Sequence, residues 1–302
     1  PILQDRSDIK GVVIDEPDDS SRDLAACLRA EAFTHAVVFW STARIARALR
    51  GARIPVRVGQ SRRLYSWTYT NRVPVRTETG DVMSHWTDVQ MDYARALGAS
   101  PEPDDFRIDI RLRPADLDRA AALLDAERIG GTFAVLHAAR GLPLDDVRWP
   151  VERFAAIGDA VSRAFAMPVL LTGSAADVPT IARIGAAMRG PNALVAGKTD
   201  LMVLAAVLSR ASLVVALDSG PAHIAAALGA PTVAIFALRT DLPDRWRPLG
   251  PRVAVVGPDY PCPPWHRKEK CPDFACYANL SPDAVVAAAR SIASEDATAT
   301  PA

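Results

Sequence analysis

The stretch Leu213 to Phe236, LVVALDSGPAHIAAALGAPTVAIF, reads as strand, polar turn, helix and second strand. LVVALD is an unbroken apolar run closed by a carboxylate, the pattern of a strand buried on both faces of a parallel sheet. Asp218-Ser219-Gly220 then supplies capping side chains and a flexible backbone, and Pro221 suits a first helical position, where a missing N–H costs nothing. In α/β proteins such a turn lies in the crevice at the carboxyl ends of the strands. Backbone N–H groups and the positive end of the helix dipole face that crevice, so an anionic ligand is expected there.

The same alternation extends outward on both sides. Phe133 to Ala138, Pro168 to Gly173, Ala193 to Gly197 and Arg252 to Gly257 read as strands, and Val151 to Phe165, Val178 to Arg189 and Asp200 to Arg210 as helices. Strands separated by helices of this length imply βαβ crossovers and a doubly wound parallel sheet. Ser281-Pro282-Asp283 opens a last helix, and the tail DATATPA is expected to be disordered. Upstream, Gly11 to Asp15, His35 to Trp40 and Val56 to Gly59 read as strands, with helices at Ser21 to Ala30 and Ser41 to Arg50. Phe106 to Leu112 and Pro114 to Arg128 read as a strand and a helix, and Ile129-Gly130-Gly131 as a hinge. The expected organisation is an N-terminal Rossmann-like domain over 1–129, a second over 130–280, and a C-terminal helix and tail over 281–302.

Composition narrows the function. With 302 residues, 49% of them hydrophobic, the chain can fill two cores. No apolar run reaches about 18 residues and the first residues lack a signal-peptide h-region, so a cytoplasmic protein is expected. Thirty-five basic residues balance 35 acidic ones, leaving no electrostatic footprint for nucleic acid. Four basic residues are lysine and the rest arginine, the better fork for carboxylate and phosphate. Arg57, Arg62, Arg63, Arg72 and Arg76 crowd one segment with Tyr65, Trp67 and Tyr69, which suits an acidic sugar or phosphorylated head group as well as a solvated loop. Cys27 reads as a small core residue. Cys262, Cys271 and Cys276 cluster near His266 without a C-x-x-C pair, so a packed loop and a metal site both remain open and no metal is assigned.

Asp-Ser-Gly-Pro-Ala-His at 218–223, followed by Ile-Ala-Ala-Ala-Leu-Gly-Ala-Pro-Thr at 224–232, resembles the donor-site signature of the heptosyltransferases, glycosyltransferase family 9. The family builds the inner core of bacterial lipopolysaccharide. Leu136-His137-Ala138-Ala139-Arg140, then Arg148-Trp149-Pro150 and Val151-Glu152-Arg153-Phe154, is similar to its donor-contacting loop. Val147 stands where a lysine usually meets the donor phosphates, so Arg140 or Arg148 takes that charge or the contact is lost. Leu170-Leu171-Thr172-Gly173-Ser174 ends a strand. The resemblance assigns Asp177 to the ribose hydroxyls, although a helix-start carboxylate explains it equally. Gly197-Lys198-Thr199 looks like the loop lining the nucleobase and lacks the upstream glycine of a P-loop.

The resemblance implies a GT-B fold of two Rossmann-like domains and inverting transfer of a sugar, heptose foremost, from an ADP-sugar to a lipopolysaccharide-core or related acceptor. Asp218 and the backbone at Ser219, Gly220 and Ala222 would hold the diphosphate, with His223 facing the leaving group or capping a carbonyl. Arg57, Arg62 and Arg63 are the acceptor-side candidates. No cofactor is demanded, and a peripheral contact with the inner membrane is a further expectation. Family members open with a strand and a Gly-Asp turn whose aspartate is the base. PILQDRSDIKGVVIDEP resembles the segment downstream of that unit, so the N-terminal domain is expected to lack about 30 residues or more and the base stays unassigned. The rival expectation is a nucleotide-sugar-binding homologue without turnover, acting as a regulator or partner.

Overall fold

The computed structural model describes residues 2–3, 6, 8–15, 18, 20–139, 149–238, 242–258, 263 and 274–293. Its residues form two compact units, a smaller one over 7–106 and a larger one over 107–302 together with 1–6.

The smaller unit contains α1 (Ser21–Ala30), β1 (His35–Val37), α2 (Ala43–Gly51), β2 (Val56–Gln60), β3 (Asn71–Val73) and α3 (Trp86–Arg95). The Ser20 hydroxyl caps α1 by accepting from the Arg22 and Asp23 N–H groups. The strands run parallel in the order β1-β2-β3, with Val58 opposite both Val37 and Asn71. Ala25, Ala46, Leu49, Ile54 and Tyr69 form one core, and Val58, Val73 and Tyr93 a second beside α3. Helix α3 is not legible in the sequence. Charge holds it: the Arg76 guanidinium meets Asp88 at 2.6 Å and Asp92 at 2.7 Å, and Arg95 pairs with the same two carboxylates.

Two expected strands do not form. Residues 11–15 and 106–112 have no ladder partner among the described residues, and an apolar alternation without a partner cannot satisfy its backbone. Asp15 instead pairs with Arg44 through Nη1 at 2.9 Å, while Val12, Val13 and Ile14 stay exposed. Cys27 is also exposed, because the core-facing stripe of α1 is Leu24, Ala25 and Leu28.

The larger unit runs α4 (Pro114–Ala126), β4 (Ala134–His137), α5 (Val151–Phe165), β5 (Val169–Leu171), α6 (Val178–Ala187), β6 (Asn192–Leu194), α7 (Leu201–Ser209), β7 (Leu213–Leu217), α8 (Gly220–Ala227), β8 (Thr232–Ile235), α9 (Pro243–Trp246), β9 (Val253–Val256), α10 (Ala275–Ala278) and α11 (Pro282–Ala293). Its six strands are parallel in the order β6-β5-β4-β7-β8-β9. Alternation along the strands builds two cores. Leu136, Leu171, Val215, Leu217 and Ile235 face Phe154, Ile157, Ile181, Ile184, Val285 and Ala289 of α5, α6 and α11. Val135, Leu170, Val214 and Ala216 face Ala120 and Leu124 of α4, the nearly all-apolar α7, and Ala222, Ile224 and Ala225 of α8. The sheet is therefore doubly wound.

That packing moves the expected domain boundary. The sequence reading assigns α4 to the N-terminal domain, yet Ala120, Leu124 and Ile129 are buried against Val203 and Val207 of the larger unit, so the compact units divide at 106/107 and not at 129/130. Helix α11 likewise belongs to the larger unit, since it packs on α5 and β9. Among the described residues no helix is long and apolar enough to cross a membrane.

Candidate functional site

Strand order reverses between β4 and β7. From β4 the chain winds outward through β5 to β6, then returns across the sheet to β7, which pairs with β4 from Ala134↔Leu213 to His137↔Ala216. The crevice beyond the carboxyl ends of two strands at such a reversal is where open α/β sheets bind ligands. The residues read as donor contacts sit around this edge: Ala139 after β4, Gly173 after β5, Gly197-Lys198-Thr199 after β6, and Asp218, Ser219 and Gly220 after β7.

At the last of these turns the Asp218 N–H donates to the Ile235 carbonyl at 3.0 Å, fixing the turn to β8. Ser219 is the N-cap of α8 in extended conformation, but its side chain makes no bond to the helix. Its hydroxyl donates backward to the Leu217 carbonyl at 2.9 Å. The expectation of a side-chain cap is thus corrected for Ser219: its hydroxyl hydrogen is directed at the strand and its oxygen accepts no N–H of the helix. Gly220 is exposed at the mouth of the turn, Ala222 is buried with its N–H on the Ser219 carbonyl at 3.1 Å, and His223 is half-buried in the first turn.

The neighbouring loops are tied to one another. The Gly197 N–H donates to the Gly173 carbonyl at 2.9 Å, and Gly197 adopts a left-handed φ of 74°. Lys198 reaches its ammonium to the Glu127 carboxylate, so its charge is already neutralised. Asp177 is only 6% exposed and closes a capping box: its Oδ2 accepts from the Ser174 N–H at 2.8 Å and the Ser174 hydroxyl at 2.6 Å. The geometry gives Asp177 a helix-start role beside the ribose role the resemblance assigns it.

One residue at this edge lies in the stretch read as the donor-contacting loop but carries no role of its own there. His137 ends β4, is 6% exposed, and sets Nδ1 2.9 Å from the Thr172 hydroxyl at the end of β5. Burial pushes its imidazole down to about 4, while the Asp177 carboxylate pulls the other way. The signal is present as one histidine in an otherwise apolar run, AVLHAA. Trp149 is buried, stacked on Phe154 at 5.2 Å and against Tyr277 at 5.1 Å, which makes it a packing anchor. Arg140, Val147, Arg148, Cys262, His266 and Cys271 lie outside the described residues; Cys276 is buried in α10.

The model of glycosyltransferase family 9 (heptosyltransferase) matches residues 21–274. The chain belongs to glycosyltransferase family 9. A 140-residue segment of this family 9 chain is 31% identical to lipopolysaccharide heptosyltransferase 3 of Escherichia coli, covering 45% of the chain and 39% of that relative. Among solved structures, a family 9 glycosyl transferase of Veillonella parvula superposes with TM-score 0.79 at 19% identity, over 97% of this chain and 85% of its own. The ADP-heptose lipopolysaccharide heptosyltransferase II of Escherichia coli gives TM-score 0.68 at 20% identity, over 92% and 82%. At these identities the likeness shows the fold, the mixed α/β architecture of the GT-B heptosyltransferases.

The arginines read as acceptor-side candidates in this family 9 member are less available than their sequence suggests. Arg57 donates to the carbonyls of Thr68 at 2.9 Å and Pro55 at 3.3 Å, and also to that of Ile54. Arg62 donates to the Glu78 carbonyl at 3.2 Å, and Arg63 pairs with the Glu78 carboxylate. Arg62 and Arg63 are brought together around Glu78. Arg57 instead braces the loop between β2 and β3.

Proposed function

We propose that this chain transfers heptose, with inversion, from ADP-heptose to a lipopolysaccharide-core or related glycan acceptor. Family membership supports the reaction class, and the relatives' names supply donor and acceptor. The observation that carries the donor site is the first turn of α8, free of a side-chain cap and ending at the switch point of a parallel sheet. Backbone N–H groups there, with the helix dipole, suit a diphosphate.

In this reading the acceptor hydroxyl attacks the anomeric carbon from the face opposite ADP, the bond from that carbon to the β-phosphate oxygen breaks, and the proton passes to a base that no described residue is assigned to be. Charge develops on the departing diphosphate. The α8 N-terminus stabilises it there, and the His223 imidazole donates a hydrogen bond to the same oxygens. Gly173, Asp177, Gly197, Lys198, Thr199 and Ala139 shape the nucleoside side of the crevice, with Arg140 or Arg148 as candidate phosphate contacts. A cytoplasmic location with peripheral contact at the inner membrane belongs to the same proposal, because the acceptor is a lipid-linked glycan.

The test is a calorimetric titration of the chain with ADP, with UDP and GDP as controls. Selective ADP binding that falls at least tenfold in His223→Ala is the expected result. A folded chain that binds no nucleotide, or binds all three alike, overturns the donor site.

A further inference from the structure

His137 and Thr172 meet at the carboxyl ends of β4 and β5, and their contact fixes where the histidine carries its proton. Thr172 is 1% exposed, and its hydroxyl has no hydrogen-bond partner among the described residues other than His137 Nδ1 at 2.9 Å. An O–H buried to that degree is costly to leave without an acceptor, so it donates to Nδ1. Burial moves the titration of the imidazole down to about 4, so the ring is neutral at pH 7 and carries one proton. With Nδ1 accepting, that proton is on Nε2. Nε2 has no partner among the described residues, yet it is not sealed from water. A residue only 6% exposed thus presents one unpaired N–H donor to the space outside.

Alternation decides which space that is. Val135, two residues before His137, packs with Leu170, Val214 and Ala216 on the face covered by α7 and α8, and His137 follows it to that face. Thr172 follows Leu170 there, its N–H continuing the ladder to the Leu136 carbonyl at 3.2 Å. On the other side His137 stands opposite Ala216 of β7, one strand spacing or about 4.8 Å away. Just past the end of β7 the chain turns at Asp218 and Ser219 into α8. The Nε2–H and the first turn of α8, which has no side-chain cap, therefore lie on one face and at one end of the sheet. The Asp177 carboxylate favours a proton on His137 but accepts from Ser174, not from Nε2. We propose that His137 is a donor-binding residue whose Nε2–H donates to a diphosphate oxygen seated at the N-terminus of α8, with Thr172 the positioning residue that sets its tautomer. The inference rests on the donor reading above and adds to the backbone amides a side-chain donor from a different strand. Donation to an ionised phosphate is charge-assisted although the ring itself is uncharged.

The experiment is long-range proton–nitrogen correlation NMR at pH 7 on the full chain with isotope-labelled histidine. The His137 signals are assigned by their loss in His137→Asn, and ADP, adenosine and inorganic pyrophosphate are the probes. The free chain is expected to show the Nε2–H tautomer, and ADP and pyrophosphate, but not adenosine, are expected to shift the Nε2 resonance. Two variants separate binding from bracing of the strand ends. His137→Asn keeps a partner for Thr172 but does not reach the crevice, and is expected to weaken ADP binding in calorimetry about tenfold. His137→Gln carries an amide N–H to the place of Nε2 while losing the Thr172 contact, and is expected to recover most of that affinity. A histidine that only braces the strands gives the reverse order, Asn retained and Gln impaired, and that order overturns the proposal. The Nδ1–H tautomer overturns it too, as does an Nε2 resonance that neither ADP nor pyrophosphate moves, or that adenosine moves as far as ADP does. A shift with pyrophosphate in a chain that does not bind ADP sinks the nucleotide reading and leaves His137 as an anion ligand.

Discussion

Gly220 carries no backbone obligation that excludes alanine. Its φ is not left-handed, and a Cβ built there meets nothing within 4 Å. Gly220→Ala is therefore expected to leave the melting temperature unchanged or raise it, by up to about 1 kcal/mol of stability. The same methyl would occupy the space a diphosphate needs at the α8 N-terminus, and ADP affinity is expected to fall about tenfold or more, which is about 1.4 kcal/mol. Calorimetric titration and a thermal melt on one sample check both halves. His137 gives a second prediction. Its imidazole has an ordinary value of 6.5 and a folded value of about 4, so above 6.5 it is neutral in both states and costs nothing. As pH falls from 6.5 to 4 only the unfolded chain takes the proton, and about 3 kcal/mol of stability is lost. Urea unfolding at pH 7 and pH 5 is expected to show about 2 kcal/mol of that loss, and His137→Asn to flatten it. An equal slope in the variant would assign the pH dependence elsewhere.

Helix α8 is held at the crevice by its neighbours more than by its own sequence. It has only eight residues, its first turn has no side-chain cap, and Ala222, Ala225 and Ala226 are wholly buried. Small side chains let other backbone approach closely, as at Gly250, where an added Cβ would lie 2.3 Å from the Ala226 carbonyl oxygen. Gly250→Ala must push α8 or its own loop aside. The expected result is a loss of about 2 kcal/mol or more in urea unfolding together with weakened ADP binding, the opposite stability outcome from Gly220→Ala. Alternation of apolar runs and turns is enough to find β4 to β9 and α4 to α8 in the sequence, because the strand runs are short and bounded by turn residues while the helical ones are longer. Helix α3 escapes because it depends on Arg76, ten residues upstream of its first residue, and on Arg95 meeting Asp88 and Asp92. The apolar run at 11–15 misleads for the converse reason: a strand exists only where a partner strand accepts its ladder.

Across the whole molecule, two compact units divide the work that the family reading assigns. The crevice proposed for the donor is built from residues of the larger unit, and the cavity lined by Phe39 and Trp40 from residues of the smaller. Differential scanning calorimetry is expected to resolve two transitions. ADP at about 100 times its dissociation constant should add about 2.7 kcal/mol to the larger unit alone. A single transition that ADP shifts as a whole would show that the units unfold together. The boundary at 106/107 also predicts the location of tryptic nicking, at the exposed Arg107 and Arg111 in a segment without regular structure.

By itself the sequence determined the parallel α/β class, the donor-loop motif and the family, because period, turn chemistry and a long contiguous signature are all local in the chain. Tertiary structure decided what those residues have left to offer. The Ser219 hydroxyl hydrogen is directed at Leu217, Asp177 is engaged with Ser174, Lys198 with Glu127, and Arg57, Arg62 and Arg63 with carbonyls and Glu78, partners that spacing does not reveal. The strand reversal that makes a crevice, and the convergence of Phe39, Trp40 and Gln90 on one cavity, likewise join residues far apart in the chain. Hydrogen-bond capacity and burial are properties of the assembled neighbourhood, so a residue's type is written in the chain while its availability is set by the fold.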